Sequence, residues 1–214
     1  MWYCAACGYT NYIDDFKCGR CKGDNPDFIE FNTEQREKAE QIEKVKKTIK
    51  KLFTSINKAT DGLCEVRERW YVDIEIMEEH LLDEQSPDII QKKTDRLNHL
   101  KEITEKLGDL ISDIYCKVEE PLENIISNID VSLESYEGWG KVEYDINQTI
   151  TVLKKCSDAI YPLIVFSESV NAQKRGLTGG IKKLSNFALE LQCAIDTLED
   201  ELLESEDEEF YYID

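Results

Sequence analysis

The sequence predicts an all-α protein, an elongated antiparallel bundle or coiled coil of long helices behind a small N-terminal module with four cysteines. Three observations predict it. Apolar residues recur at spacings of three and four through most of the chain after residue 32. Ser, Pro and Gly cluster between those runs, where helices start and stop. Four of the eight cysteines lie in the first 21 residues as C-x2-C-x10-C-x2-C.

The cysteine module comes first. Two thiolates separated by two residues turn both sulfurs toward one ion, and two such knuckles complete a tetrahedral shell. Cys4, Cys7, Cys18 and Cys21 are therefore read as ligands of one structural zinc ion, with no position left open for catalysis. Two disulfides are the alternative pairing, and a chain held in a reducing compartment disfavours them. Cys64, Cys116, Cys156 and Cys193 are scattered through the helical stretches and read as free thiols. The zinc module is assigned to residues 1–26, and the turn cluster Gly23-Asp24-Asn25-Pro26 separates it from the helical region. Phe28, Ile29 and Phe31 would dock it onto the next element.

The helical bundle is assigned to residues 32–204. Its first helix is expected to start at Asn32 or Thr33, with Glu34 and Glu37 favourably placed in the first turns. Ile42, Val45, Ile49, Leu52, Ile56, Ala59, Leu63, Val66, Trp70, Ile74, Met77 and Leu81 then form one continuous seam. A helix over 33–84 would be roughly 78 Å long, and only partner helices could bury that seam. Asp61-Gly62 is the weak point, because Gly costs about 1 kcal/mol in a helix interior and often ends one.

Ser86-Pro87-Asp88 opens the second helix, with Ser as N-cap and Pro in the first turn. Leu97, Leu100, Leu107, Ile111, Ile114 and Val118 carry it to Glu120. Pro121 either kinks it or opens a separate helix through Leu122, Ile125, Ile126 and Ile129. Gly138-Trp139-Gly140 is a turn. Ile146, Ile150, Leu153, Ile160 and Ile164 define the next helix, with a bend expected at Pro162. After the loop 176–180, Ile181, Leu184, Ala188, Leu191, Ile195, Leu198 and Leu202 define the last.

Charge is segregated. The net charge is −19, with 26 Lys and Arg against 45 Asp and Glu, which argues against nucleic acid as a partner because phosphate binding rests on basic side chains. Residues 32–60 nevertheless carry eight bases against four acids. Residues 196–214 carry ten acids and no base. The segment 205–214 is read as an acidic aromatic tail in which helical continuation is not expected, since four consecutive acids, Glu206 to Glu209, repel one another. Phe210, Tyr211, Tyr212 and Ile213 would be its partner-docking residues. The longest apolar run, Ile160 to Phe166, is too short to cross a membrane, and the first residues lack a secretory pattern, so a cytoplasmic protein is expected.

The spacing Trp2-x-Cys4-x2-Cys7-x3-Asn11-x6-Cys18-x2-Cys21 resembles the RanBP2-type zinc finger, and it is similar to short bacterial zinc ribbons through Gly8, Asn11 and Phe16. The resemblance covers about a tenth of the chain. It implies that Trp2, Tyr9 and Asn11 support the finger or dock a partner. In RNA-binding members two Arg follow the Asn by three and four residues. Asp14 and Asp15 stand there instead, so RNA reading is expected to be lost. Of the ubiquitin-binding pattern only the aromatic Tyr9 is retained.

Neither His80 nor His99 falls in a metalloprotease motif, although His80 and Glu84 are spaced to share a helix face. No nucleophile with an evident base is found, so the chain is expected not to be an enzyme. The reading is a protein–protein interaction adaptor or scaffold, binding another protein or a second copy of itself through helix faces and terminal motifs. The alternative is an acidic decoy that occupies a basic nucleic-acid-binding protein.

Overall fold

The computed structural model describes residues 2–4, 6–11, 17–23, 26–137 and 144–209. It is all-α apart from two two-residue strands, β1 (Trp2–Tyr3) and β2 (Thr10–Asn11), paired antiparallel with Trp2 opposite Asn11. The helices are α1 (Pro26–Leu82), α2 (Pro87–Ile114), α3 (Glu120–Glu137), α4 (Ile146–Gln173) and α5 (Thr178–Glu209). A single π-helical turn, Tyr115–Glu119, joins α2 to α3.

α1 starts six residues before Asn32. Pro26 supplies a preset φ at the first helical position, and its missing N–H is one that no helix bond would use. The helix runs unbroken through Gly62, and the reason lies across the bundle. A Cβ on Gly62 would stand 3.2 Å from the Lys183 ammonium, which donates to the carbonyl of Lys58 at 3.0 Å. The bare glycine thus lets a cation of α5 reach the α1 backbone.

Pro121 stands second in a separate helix, α3, which follows α2 directly through the π turn. A proline ring inside a helix clashes with the carbonyl four residues before it, here Lys117, and a wider turn relieves that clash. The π turn spans that carbonyl, and helix continues on both sides. α4 likewise continues through Pro162. Asp145 caps α4 by accepting from the Asn147 N–H at 2.9 Å. Ser86 does not cap α2 with its side chain. Glu84 gathers the Gln85 and Ser86 N–H groups at 3.3 and 3.4 Å, and the Lys93 ammonium at 2.7 Å. Lys93, and secondarily the Ser86 N–H, hold the Glu84 carboxyl below the usual range.

The chain forms two compact units, residues 1–45 with 128–144, and residues 46–127 with 145–214. In the first, Cys4, Asn11, Cys18, Gln35, Ala39, Ile42, Val45 and Ile129 are buried. The second is an antiparallel four-helix bundle whose directions follow from its contacts. Thr60 meets Glu119, and Glu78 pairs with Lys101, so α1 opposes the α2–α3 rod. Lys58 meets Lys183, and Gly176 lies against Val66 and Trp70, so α1 also opposes α5. Lys154 pairs with Glu199 at 2.5 Å and closes α4 on α5, while α4 also packs on α2.

The α1 seam is buried from Leu52 to Ile74, but Met77 and Leu81 are only half-buried. The α4–α5 connection explains this. It lies beside Trp70 and Asp73, which Lys174 contacts, while α1 continues to Leu82 before the chain returns as α2. Residues 75–82 of α1, about 12 Å of helix, therefore extend past the end of α4, and Glu78 pairs there with Lys101 of α2.

Candidate metal centre

Cys4 follows β1 and Cys7 closes the first knuckle; Cys18 and Cys21 form the second. The two knuckles share two backbone hydrogen bonds. Gly8 N–H donates to the Cys4 carbonyl at 2.8 Å, and Lys22 N–H to the Cys18 carbonyl at 3.0 Å. Cys4 N–H donates to the Tyr9 carbonyl at 3.0 Å, and Cys18 N–H to the Gly23 carbonyl at 2.7 Å. The residue after each second cysteine takes a positive φ, 66° at Gly8 and 64° at Lys22. Glycine adopts that conformation freely, whereas at Lys22 it costs about 1–2 kcal/mol.

This geometry brings four sulfurs together. Cys4 and Cys21 Sγ are 3.4 Å apart, Cys7 and Cys18 Sγ 3.5 Å, and all four lie within 4.8 Å of one another. A tetrahedral thiolate shell with a metal–sulfur bond of about 2.3 Å has edges of roughly 3.8 Å, so the four sulfurs fit such an ion. The Arg20 N–H donates to Cys18 Sγ at 3.4 Å. Burial opposes ionisation of Cys18, but backbone N–H groups of Cys21 and Arg20 pull its thiol down to about 6. Gly23 N–H favours the Cys21 thiolate, yet the crowding sulfurs of Cys4 and Cys7 push that thiol up to about 12. Four sulfurs at this separation cannot all ionise unaided, and a bound cation removes the conflict.

Asn11 is buried and ties the knuckles together. Its Nδ2 donates to the Tyr9 carbonyl at 3.1 Å, and its Oδ1 accepts from Gly19 N–H at 2.9 Å. Tyr9 is exposed, with its ring edge beside Gly19. Trp2 contributes backbone to β1; its side chain lies outside the described residues, as do Asp14, Asp15 and Phe16 and the side chains of Phe28, Ile29 and Phe31. The backbone donors Arg20 and Gly19 and the strained Lys22 carried no sequence signal beyond the C-x2-C turn itself.

Among the described residues no other group of three or more His, Cys, Asp or Glu side chains converges as a metal site. Cys64 is half-buried, and Cys156 is buried, which pushes its thiol up to about 11. Cys116 and Cys193 are exposed. His80 and Glu84 do not share a helix face, because α1 ends at Leu82 and Glu84 turns to Lys93.

The expectation that helix stops before the acidic tail is not met. α5 continues to Glu209, five residues into the segment 205–214. Like charges one turn apart cost only about 0.2–0.5 kcal/mol per pair, too little to stop a helix already propagating. Phe210, Tyr211, Tyr212 and Ile213 lie outside the described residues.

One buried polar cluster was not anticipated. Glu119, in the π turn, is buried and accepts from the Thr60 hydroxyl, which also contacts the Ile56 carbonyl at 3.2 Å. A hydroxyl carries one proton and serves one acceptor at a time, so a protonated Glu119 satisfies both contacts. Burial pushes the Glu119 carboxyl up, and neighbouring Asp61 and Glu123 push it the same way against the Thr60 bond.

No family model, curated protein or solved structure matches the chain. Four cysteines able to hold one metal ion, on a helical protein, are what the structure establishes. Among the described residues no helix is long and apolar enough to cross a membrane.

Proposed function

We propose that the chain is a non-enzymatic adaptor or scaffold in which one structural zinc ion, held by Cys4, Cys7, Cys18 and Cys21, staples the N-terminal module, and helix faces engage another protein. Zinc is chosen over other metals because four thiolates in a closed tetrahedral shell suit a soft, redox-inert ion, and reduced thiols suit a cytoplasmic setting. The observation that carries the adaptor reading is an apolar row on the outside of α4. Tyr161 and Val165, one turn apart, are 52% and 65% exposed, with Phe166 beside them. Large apolar side chains grouped on a charged surface are the material of protein interfaces.

The test compares capture of partners from the native cell by the wild type and by a Tyr161→Asp/Val165→Asp double variant. Both residues face solvent, so the fold should be unaffected. A helix-face adaptor loses its partner in the variant and tolerates salt. An acidic decoy keeps its partner in the variant, loses it steeply with salt and competes with DNA or RNA. Capture that is equal in the two proteins and unaffected by salt would refute both readings.

A further inference from the structure

The overhang of α1 and α2 past the end of α4 leaves a cavity of about 570 Å³ between α1, α2 and the last residues of α4. That volume lies in the range of about 300–1,000 Å³ typical of small-molecule sites. Its floor is apolar: Leu100 and Ile103 are buried, Met77 is half-buried, and Ile76 is open to solvent.

Its rim is basic in an otherwise acidic protein. Lys93, Arg96 and Lys174 line it together with His80 and His99, and Asp73 is the one carboxylate among the lining residues. Two of the three cations are already committed. Lys174 is clasped by Asp73 at 2.8 Å and lies 5.2 Å from the centre of the Trp70 ring. Lys93 is clasped by Glu84 at 2.7 Å.

Arg96 differs. The residues three and four positions away on its helix are Lys92, Lys93, His99 and Leu100, so the i,i+3 and i,i+4 positions offer it no carboxylate. No ion pair of the described residues includes it either. Arg96 is exposed and lines an apolar cavity together with His80 and His99, with no ion-pair partner among the described residues. A guanidinium offers parallel N–H donors that match two oxygens of a carboxylate or phosphate.

We propose that this notch binds a small amphipathic anion, a carboxylate or phosphate head carrying an apolar chain, with Arg96 holding the head and Ile76, Met77, Leu100 and Ile103 covering the chain. The proposal is independent of the adaptor reading. A second copy of the same hairpin is a poor occupant, because twofold pairing would set one basic rim against another.

The full chain is titrated calorimetrically with decanoate, decyl phosphate, decanol and inorganic phosphate, each as monomer in solution. Decanoate and decyl phosphate should bind saturably, one per chain. Decanol, which lacks the charge, and inorganic phosphate, which lacks the chain, should bind at least tenfold more weakly. Arg96→Glu, on an exposed side chain, should leave the melting temperature unchanged and weaken both anions at least tenfold while leaving decanol alone. Ile76→Asp should weaken decanoate and decanol together. Equal affinity for decanol and decanoate, full anion binding by Arg96→Glu, or no saturable binding at all would overturn the proposal. So would tighter binding of a peptide of residues 206–214 than of decanoate, which would make the occupant a polypeptide.

Discussion

Replacing Gly180 with alanine probes the close approach of α5 to α1. A methyl group there would stand 2.5 Å from Cδ2 and 3.2 Å from Cγ of Leu63, a side chain with no solvent exposure. Carbon atoms pack at about 3.5–4.0 Å, so one partner must yield by roughly 1 Å inside a filled core. Overpacking of this kind costs about 1–3 kcal/mol, and alanine in a helix offsets about 1 kcal/mol of it. The net loss should be about 0–2 kcal/mol, a fall in Tm of up to about 8 °C for a chain of this size. Leu63→Ala alone should cost about 2–5 kcal/mol by opening a cavity. In the double variant the new methyl occupies part of that cavity, so the combined cost should fall short of the sum by at least ~1 kcal/mol. Urea unfolding followed by circular dichroism measures all three variants. Additivity within about 0.5 kcal/mol would refute the contact.

Purified protein should contain about one equivalent of zinc per chain, and a Cys18→Ser/Cys21→Ser double variant should lose it while keeping most of its helical signal; full zinc retention would remove the assignment. Ile56→Asp should cost several kcal/mol, because Ile56 is fully buried and the new carboxylate finds no partner there; an unchanged melting curve would mean the seam is not core. Glu119→Gln tests a titration. A carboxyl whose folded pKa is raised loses stability as pH rises above its unfolded value of about 4.3, so the variant should gain on the wild type between acidic and neutral pH. A stability difference independent of pH across that window would refute the burial argument.

The helices were legible because a seam repeated every three or four residues has one physical solution, burial against other helices. Ile42 to Ile74 show this, and all of these seam positions are buried. The four ligands were legible because C-x2-C is a local geometry. What escaped were effects settled across the fold. Gly62 read as the weak point of a continuous helix, since a sequence shows its propensity cost and not the Lys183 ammonium across the bundle. The end of α5 escaped for the opposite reason: acid repulsion is visible in the sequence, but its small size per pair is not. The cavity beside Arg96 and the bond from Thr60 to Glu119 gave no pattern, because each needs α1 residues remote in the chain.

The π turn at Tyr115–Glu119 has a consequence for how such a chain can change length. Upstream, Ile103, Leu107, Leu110 and Ile114 are buried in a three-four alternation that would place Lys117 and Pro121 next in the seam. Instead Val118 and Leu122 are buried, one residue later. The wide turn has absorbed one residue, so the buried stripe continues on the same side of the rod. A deletion elsewhere in α2 would rotate everything beyond it by about 100° and turn the seam outward. Loss of one residue within the π turn would restore the alternation and keep both halves facing inward. Descendants of this chain that differ in length by one residue along the α2–α3 rod should therefore differ there, where a frame change in the helix leaves the core intact.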